Sequence, residues 1–129
     1  MNHEVEWYSA QAYEALKAAD DNVRLGHYTT ALNRAYYAMF YAANALLATK
    51  GIQRAKHSGV LAAFRQEFVK TGLIEAEYSD SYGSAMDARH ESDYAVGRII
   101  SRELTLAYLK DAQRFVARVE QYLKENKIT

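Results

Sequence analysis

The sequence predicts an all-α fold, an up-and-down bundle of four main helices plus a short one. Three observations carry this. Proline is absent and no stretch shows the alternation of a half-buried strand. The glycines Gly26, Gly51, Gly72 and Gly97 each follow a periodic segment, where a left-handed residue ends many helices. The segment Leu32 to Leu47, LNRAYYAMFYAANALL, is a helix apolar nearly all round, which must be covered on more than one side.

The first helix is predicted from about Val5 to Leu25, with Tyr8, Ala12, Ala15, Leu16, Ala19 and Val23 on its inner face. Thr29 or Thr30 can cap the second, which runs to about Lys50. Leu32, Tyr36, Met39, Ala43 and Leu46 form one stripe of it. Tyr37, Phe40, Tyr41, Ala45 and Ala48 fill the opposite arc, interrupted by Asn33, Arg34 and Asn44. A shorter helix follows from about His57 to Lys70 with Val60, Leu61, Phe64 and Phe68 inward, then a fourth from about Glu75 to Val96. Ser101 can cap a fifth through about Glu125, with Leu104, Ala107, Tyr108, Asp111, Phe115, Val119 and Tyr122 predicted inward. Short connections favour antiparallel neighbours, and 129 residues make one domain over 1–129. The all-round apolarity of the second helix predicts a homodimer.

Sixteen basic residues balance sixteen acidic ones, so a nucleic-acid role must rest on a local patch. The absence of cysteine excludes disulfides, thiolate metal sites and cysteine nucleophiles. Glu4, Glu6 and Glu14 stand where a signal peptide would be basic and then apolar, and the longest apolar run is too short to span a bilayer. A cytoplasmic, prokaryotic protein with no membrane association is expected.

The segment Arg89 to Tyr94, RHESDY, concentrates polar chemistry on the fourth helix, since residues three and four apart share a face. Arg34 on the second helix and Asp93 on the fourth are natural ion-pair partners, with Arg89 and Tyr94 nearby. Such a pair can fix helix register without any further role. The spacing of Asp87 and His90 matches one half of a di-iron helical site, but no second copy of the motif exists, so no metal and no cofactor are expected. His57 follows Arg54 and Lys56 at a helix start, an arrangement that suits phosphate and equally suits a solvated basic loop. Of the eleven tyrosines, Tyr36, Tyr37, Tyr41, Tyr108 and Tyr122 sit at packing positions, while Tyr82 and Tyr94 are candidates for a functional rim.

The blocks NRAYYAMFYAANALLATKG, AKHSGVLAAFRQEFVKTGLI and ARHESDY, in this order and spacing, resemble the HEPN family, the higher eukaryotes and prokaryotes nucleotide-binding domain, in its small stand-alone prokaryotic branch. The likeness runs from about Ala15 to Phe115. It implies a dimeric helical bundle, often encoded beside a minimal nucleotidyltransferase as a toxin and antitoxin pair. Many members are metal-independent ribonucleases with an arginine followed, about four to six residues on, by a histidine. Arg89 matches the arginine, but Asp93 and Tyr94 stand near the histidine's place and His90 is only one residue on.

Cleavage through the 2′-hydroxyl needs an acid and a base near the scissile phosphate, a task for imidazole near neutral pH. The expectation is therefore a non-catalytic partner of a nucleotidyltransferase, associated with a nucleotide or RNA through Arg34, His57, Arg89, Asp93 and Tyr94. One alternative is a ribonuclease toxin with a variant site drawn from Arg89, His90 and Asp93, or with His57 brought into the same cleft. The other is an interaction module without a ligand.

Overall fold

The computed structural model describes residues 2–94 and 99–127, with Asp93 and Tyr94 described by their backbone alone. Five α-helices follow one another: α1 (His3–Arg24), α2 (Tyr28–Thr49), α3 (His57–Phe64), α4 (Ala76–Tyr94) and α5 (Arg102–Glu125), with a π-helical turn over Arg65–Val69 directly after α3. There is no strand among the described residues. The expected turn at Gly97 and the end of the fourth helix near Val96 lie outside the described residues.

The α1–α2 connection explains why α2 begins earlier than predicted. Gly26 adopts a positive φ of 80° and lets the chain reverse: the His27 amide bonds the Asn22 carbonyl at 2.8 Å and the Gly26 amide bonds that of Val23 at 3.0 Å. Reversal is complete within three residues, so α2 starts at Tyr28 with His27 as its cap residue and no side-chain cap bond. Neither Thr29 nor Thr30 is the N-cap, because both already lie inside the helix. Gly51 closes α2 in the same way, with the Ile52 amide on the Leu47 carbonyl at 3.0 Å.

α2 is the central helix and packs against α1, α3, α4 and α5. Ala42 to Ala48 is buried without a break, and Asn44 is only 6% exposed, its side-chain amide donating to the Phe40 carbonyl at 2.9 Å. Asn44 is thus a satisfied core residue rather than part of a polar surface. The bundle itself covers most of the apolar circumference of α2, leaving Tyr37, Phe40 and Tyr41 partly open.

Two further expectations change. The third helix was predicted as regular to Lys70, but the Lys70 amide bonds the Arg65 carbonyl at 2.9 Å, a wide turn in which the rings of Phe64 and Phe68 stack 6.3 Å apart and 20° from parallel. In α5, Ser101 caps as predicted, its Oγ accepting from the Leu104 amide at 3.1 Å. Yet the inner face is Thr105, Leu109, Ala112, Phe115, Val116, Val119 and Leu123. Thr105 can be buried because its hydroxyl donates to the Ser101 carbonyl at 2.7 Å. That rotation leaves Leu104 49% exposed and puts Ala107 on the surface.

Candidate anion-binding site

The polar seam assembles where the first half of α2 meets the start of α3 and the second half of α4. Arg34 and Tyr37 are three residues apart on α2 and share a face, which sets the Arg34 guanidinium over the Tyr37 ring, 4.7 Å from its centroid. The Arg34 Nε and Nη2 also donate to the Asn33 side-chain oxygen at 3.2 and 2.8 Å, which holds the fork in place. Arg89 reaches across from α4 and lies 5.6 Å from the Tyr37 centroid and 5.5 Å from that of Tyr36. Two guanidiniums from different helices therefore share one aromatic ring.

His57, the first residue of α3, completes the cluster. Its ring stacks on Phe40 with centroids 4.3 Å apart and planes 15° from parallel, and its Nδ1 lies 2.6 Å from the Tyr36 hydroxyl. Burial lowers the His57 pKa below its ordinary 6.5 and the nearby Arg89 charge lowers it further. Burial raises the Tyr36 phenol well above its usual range, against the opposing pull of Arg89. Near neutral pH the short contact is thus a hydrogen bond between two uncharged groups, and it fixes the imidazole plane whichever nitrogen carries the proton. A neutral, oriented imidazole beside a guanidinium can exchange a proton with a ligand, and the two arginines can hold an anion.

Arg34, His57 and Arg89 are thus brought together. The side chains of Asp93 and Tyr94 lie outside the described residues, and the predicted Arg34–Asp93 pair with them. His90 is exposed, one residue and about 100° around the helix from Arg89. Tyr82 is no rim residue: it is fully buried, its ring 5.5 Å from that of Phe115 and 6.0 Å from that of Phe64. Position on α4 misled because α4 is covered by α3 and α5 on that side. Tyr36 and Phe40, expected as packing residues on opposite arcs of α2, instead lie side by side with ring centroids 6.1 Å apart and orient His57. Their signal is their four-residue spacing, which puts both rings on neighbouring turns of one face.

No helix among the described residues is long and apolar enough to cross a membrane. Among the same residues no three His, Asp or Glu side chains converge as a metal site would need.

The profile of the HEPN domain matches residues 5–122. A "UPF0332 protein" of Thermotoga maritima is 35% identical over 123 residues, covering 95% of this chain and 93% of its own length. "Putative toxin MJ0142" of Methanocaldococcus jannaschii is 34% identical over 120 residues, covering 93% of this chain and 82% of its own. A second relative from that organism, "Putative toxin MJ0605", is 34% identical over 125 residues, 97% of this chain and 92% of its own. A bundle of this connectivity, a profile match over almost its whole length and relatives at this identity place the chain in the HEPN family.

Proposed function

We propose that this protein is the RNA-associated, toxin-like member of a two-protein pair, acting as a homodimer with a minimal nucleotidyltransferase as its partner, and that Arg34, His57 and Arg89 form its phosphate-binding site. The observation that supports it best is the pair of guanidiniums around Tyr37 with a neutral histidine alongside. A chain of zero net charge has no broad cationic field, so such a local cluster is where a polyanion would be held. The names of the two archaeal relatives support the toxin-like role. Binding without turnover follows from the missing histidine after Arg89.

The test is RNA binding and integrity measured together, with purified protein in chelator. Single-stranded RNA should bind, weaken as salt rises, and stay intact. Arg89→Ala and Arg34→Ala should each reduce the slope of log affinity against log salt by about 1, the loss of one phosphate contact. Salt-independent binding, or none, would reject the site. Co-expression with the product of the adjacent reading frame should yield a stable complex if the partner is a nucleotidyltransferase, and light scattering should give the mass of a dimer.

A second reading, metal-independent ribonuclease, is favoured by one observation: His57 and Arg89 both lie against the rings of Tyr36 and Tyr37, so the cleft holds an imidazole despite the motif's departure. Cleavage in chelator that is lost in both His57→Gln and Arg89→Ala would establish it. Cleavage insensitive to both would be contamination.

A further inference from the structure

The short contact between Tyr36 and His57 decides where the imidazole proton sits. Tyr36 is fully buried, and its hydroxyl lies 2.6 Å from His57 Nδ1, the one hydrogen bond it makes among the described residues. A nitrogen must stand there: the imidazole turned over would put Cδ2 at that distance, whereas carbon and oxygen approach only to about 3.3 Å even in a weak C–H contact. If Nδ1 bore the proton it would donate to the phenol oxygen, and the phenol's own hydrogen would need a second acceptor inside the core. Tyr82, whose ring is 6.1 Å away, does not supply one, because its hydroxyl has no hydrogen-bond partner among the described residues. Tyr36 therefore donates and Nδ1 accepts, which leaves the proton of the neutral ring on Nε2. The parallel ring of Phe40 at 4.3 Å and the perpendicular ring of Tyr37 at 5.6 Å hold the plane. Nε2, on the far edge of this half-buried ring, has no bond of its own among the described residues, and unlike the Tyr82 hydroxyl it is not sealed in.

Resting on the phosphate-binding reading above, we propose that Tyr36 is a positioning residue that locks His57 as its Nε2–H tautomer, so that the site offers a phosphodiester oxygen a neutral hydrogen-bond donor. An N–H on a charged oxygen is a charge-assisted bond, and here it forms without a proton being taken up from water. The same tautomer fits binding without turnover. The nitrogen that faces the ligand is already protonated and cannot draw a proton from a 2′-hydroxyl, while the nitrogen with the lone pair is occupied by Tyr36. From the elements packed on α3, the ring is faced by Tyr36 and Tyr37 of α2 and feels the charge of Arg89 of α4; Arg65 of the π turn bonds Ser79 of α4 at 2.7 Å instead. Lys56 and Arg54 flank the start of α3, where the Arg54 stem lies against Gly59. No carboxylate stands among these groups, so none of them draws a second proton onto the ring near neutral pH.

The tautomer can be read in the free full-length protein, with no ligand present. In long-range proton–nitrogen spectra at about pH 8, with the His57 signals identified by their loss in His57→Gln, Nδ1 should show the shift of an unprotonated, hydrogen-bonded ring nitrogen and Nε2 that of a protonated one. Tyr36→Phe should move both shifts toward those of free histidine. Binding is then followed at the same pH, in chelator, by anisotropy of a labelled oligouridylate. His57→Ala should weaken it about threefold to tenfold, whereas His57→Gln, whose side-chain amide restores a neutral donor, should stay within about twofold of the parent. Calorimetry in two buffers of different ionisation enthalpy should show no proton taken up on binding. A proton on Nδ1 in the free protein overturns the proposal and leaves the phosphate site standing. Undiminished affinity in His57→Ala, or uptake of close to one proton on binding, overturns the neutral-donor role and leaves the arginines as the anion site. Failure of the parent to bind oligouridylate overturns the phosphate site and the donor role together, whichever tautomer the spectra show.

Discussion

The molecule holds two aromatic clusters built from the same residue types and used in opposite ways. The inner one, Phe64, Phe68, Tyr82 and Phe115, is buried between α3, the π turn, α4 and α5, with ring centroids 5.4 to 6.3 Å apart. The outer one, Tyr37, Phe40 and Tyr41 with Trp7 and His57, has similar ring spacings but stays partly open and carries two guanidiniums. The two hydroxyls that lie between the clusters sharpen the difference. The Tyr36 hydroxyl reaches outward to His57, whereas the Tyr82 hydroxyl is buried with no hydrogen-bond partner among the described residues. Aromatic content therefore says little about function; openness, adjacent charge and a partnered polar tip say more.

Phe115→Ala should break the comparison most sharply. It removes a fully buried ring from the inner cluster and should cost about 3–5 kcal/mol in chemical denaturation. Under conditions where the variant is still folded, its RNA affinity should match that of the parent. A variant that loses affinity while remaining folded would show that the two clusters are coupled.

The hydroxyl deletions should have opposite signs. Tyr82→Phe removes an unsatisfied buried polar group and should stabilise by about 1–3 kcal/mol, whereas Tyr36→Phe removes a satisfied hydrogen bond and should destabilise by about 0.5–1.5 kcal/mol. Denaturation midpoints with unchanged slopes would measure both. Equal effects of the same sign would mean that the two phenols share one environment.

The smallest expected effect is a pH dependence. His57 titrates lower in the folded chain than its ordinary 6.5, so the unfolded chain binds the extra proton first. Its contribution to stability should be full above 6.5 and decline as pH falls from there through the depressed folded value. His57→Gln should flatten that limb of the stability profile. A parent and variant with parallel profiles below 6.5 would show that the imidazole is no more buried than in water.

Much of this architecture was legible in the sequence because helix periodicity and glycine placement are local signals. Gly26 and Gly51 end helices where they were expected to, and Ser101 caps α5. What failed was set by packing partners distant in sequence. Thr105 looks polar and Leu104 apolar, yet the packing of α5 on α1, α2 and α4 turns the threonine inward, where its hydroxyl is satisfied by bonding back to the preceding turn. The widened turn after Phe64 depends on how Phe68 meets its neighbours, including Tyr122 at 5.6 Å. In the site, the approach of Arg89 on α4 to Arg34 on α2 was readable, whereas the ion pair expected between Arg34 and Asp93 lies outside the described residues. That both arginines would settle on Tyr37, and that Tyr36 would orient His57, follows from the way α2, α3 and α4 converge.

The α1–α2 hairpin has a further consequence for how the chain reaches its fold. Its turn is only three residues long, and its open end is clasped by the Asn2 side chain, which both caps α1 and donates to the Ala48 carbonyl at 3.1 Å. Such a pair needs little loop-closure entropy to form and gains most of its contacts from near neighbours in the chain, so it is suited to fold early and present one face of α2 as a template for the rest. Arg34, Tyr37 and Tyr41 of α2 and Trp7 of α1 all stand on this hairpin. The surface on which they lie is then in place before α4 docks and delivers Arg89.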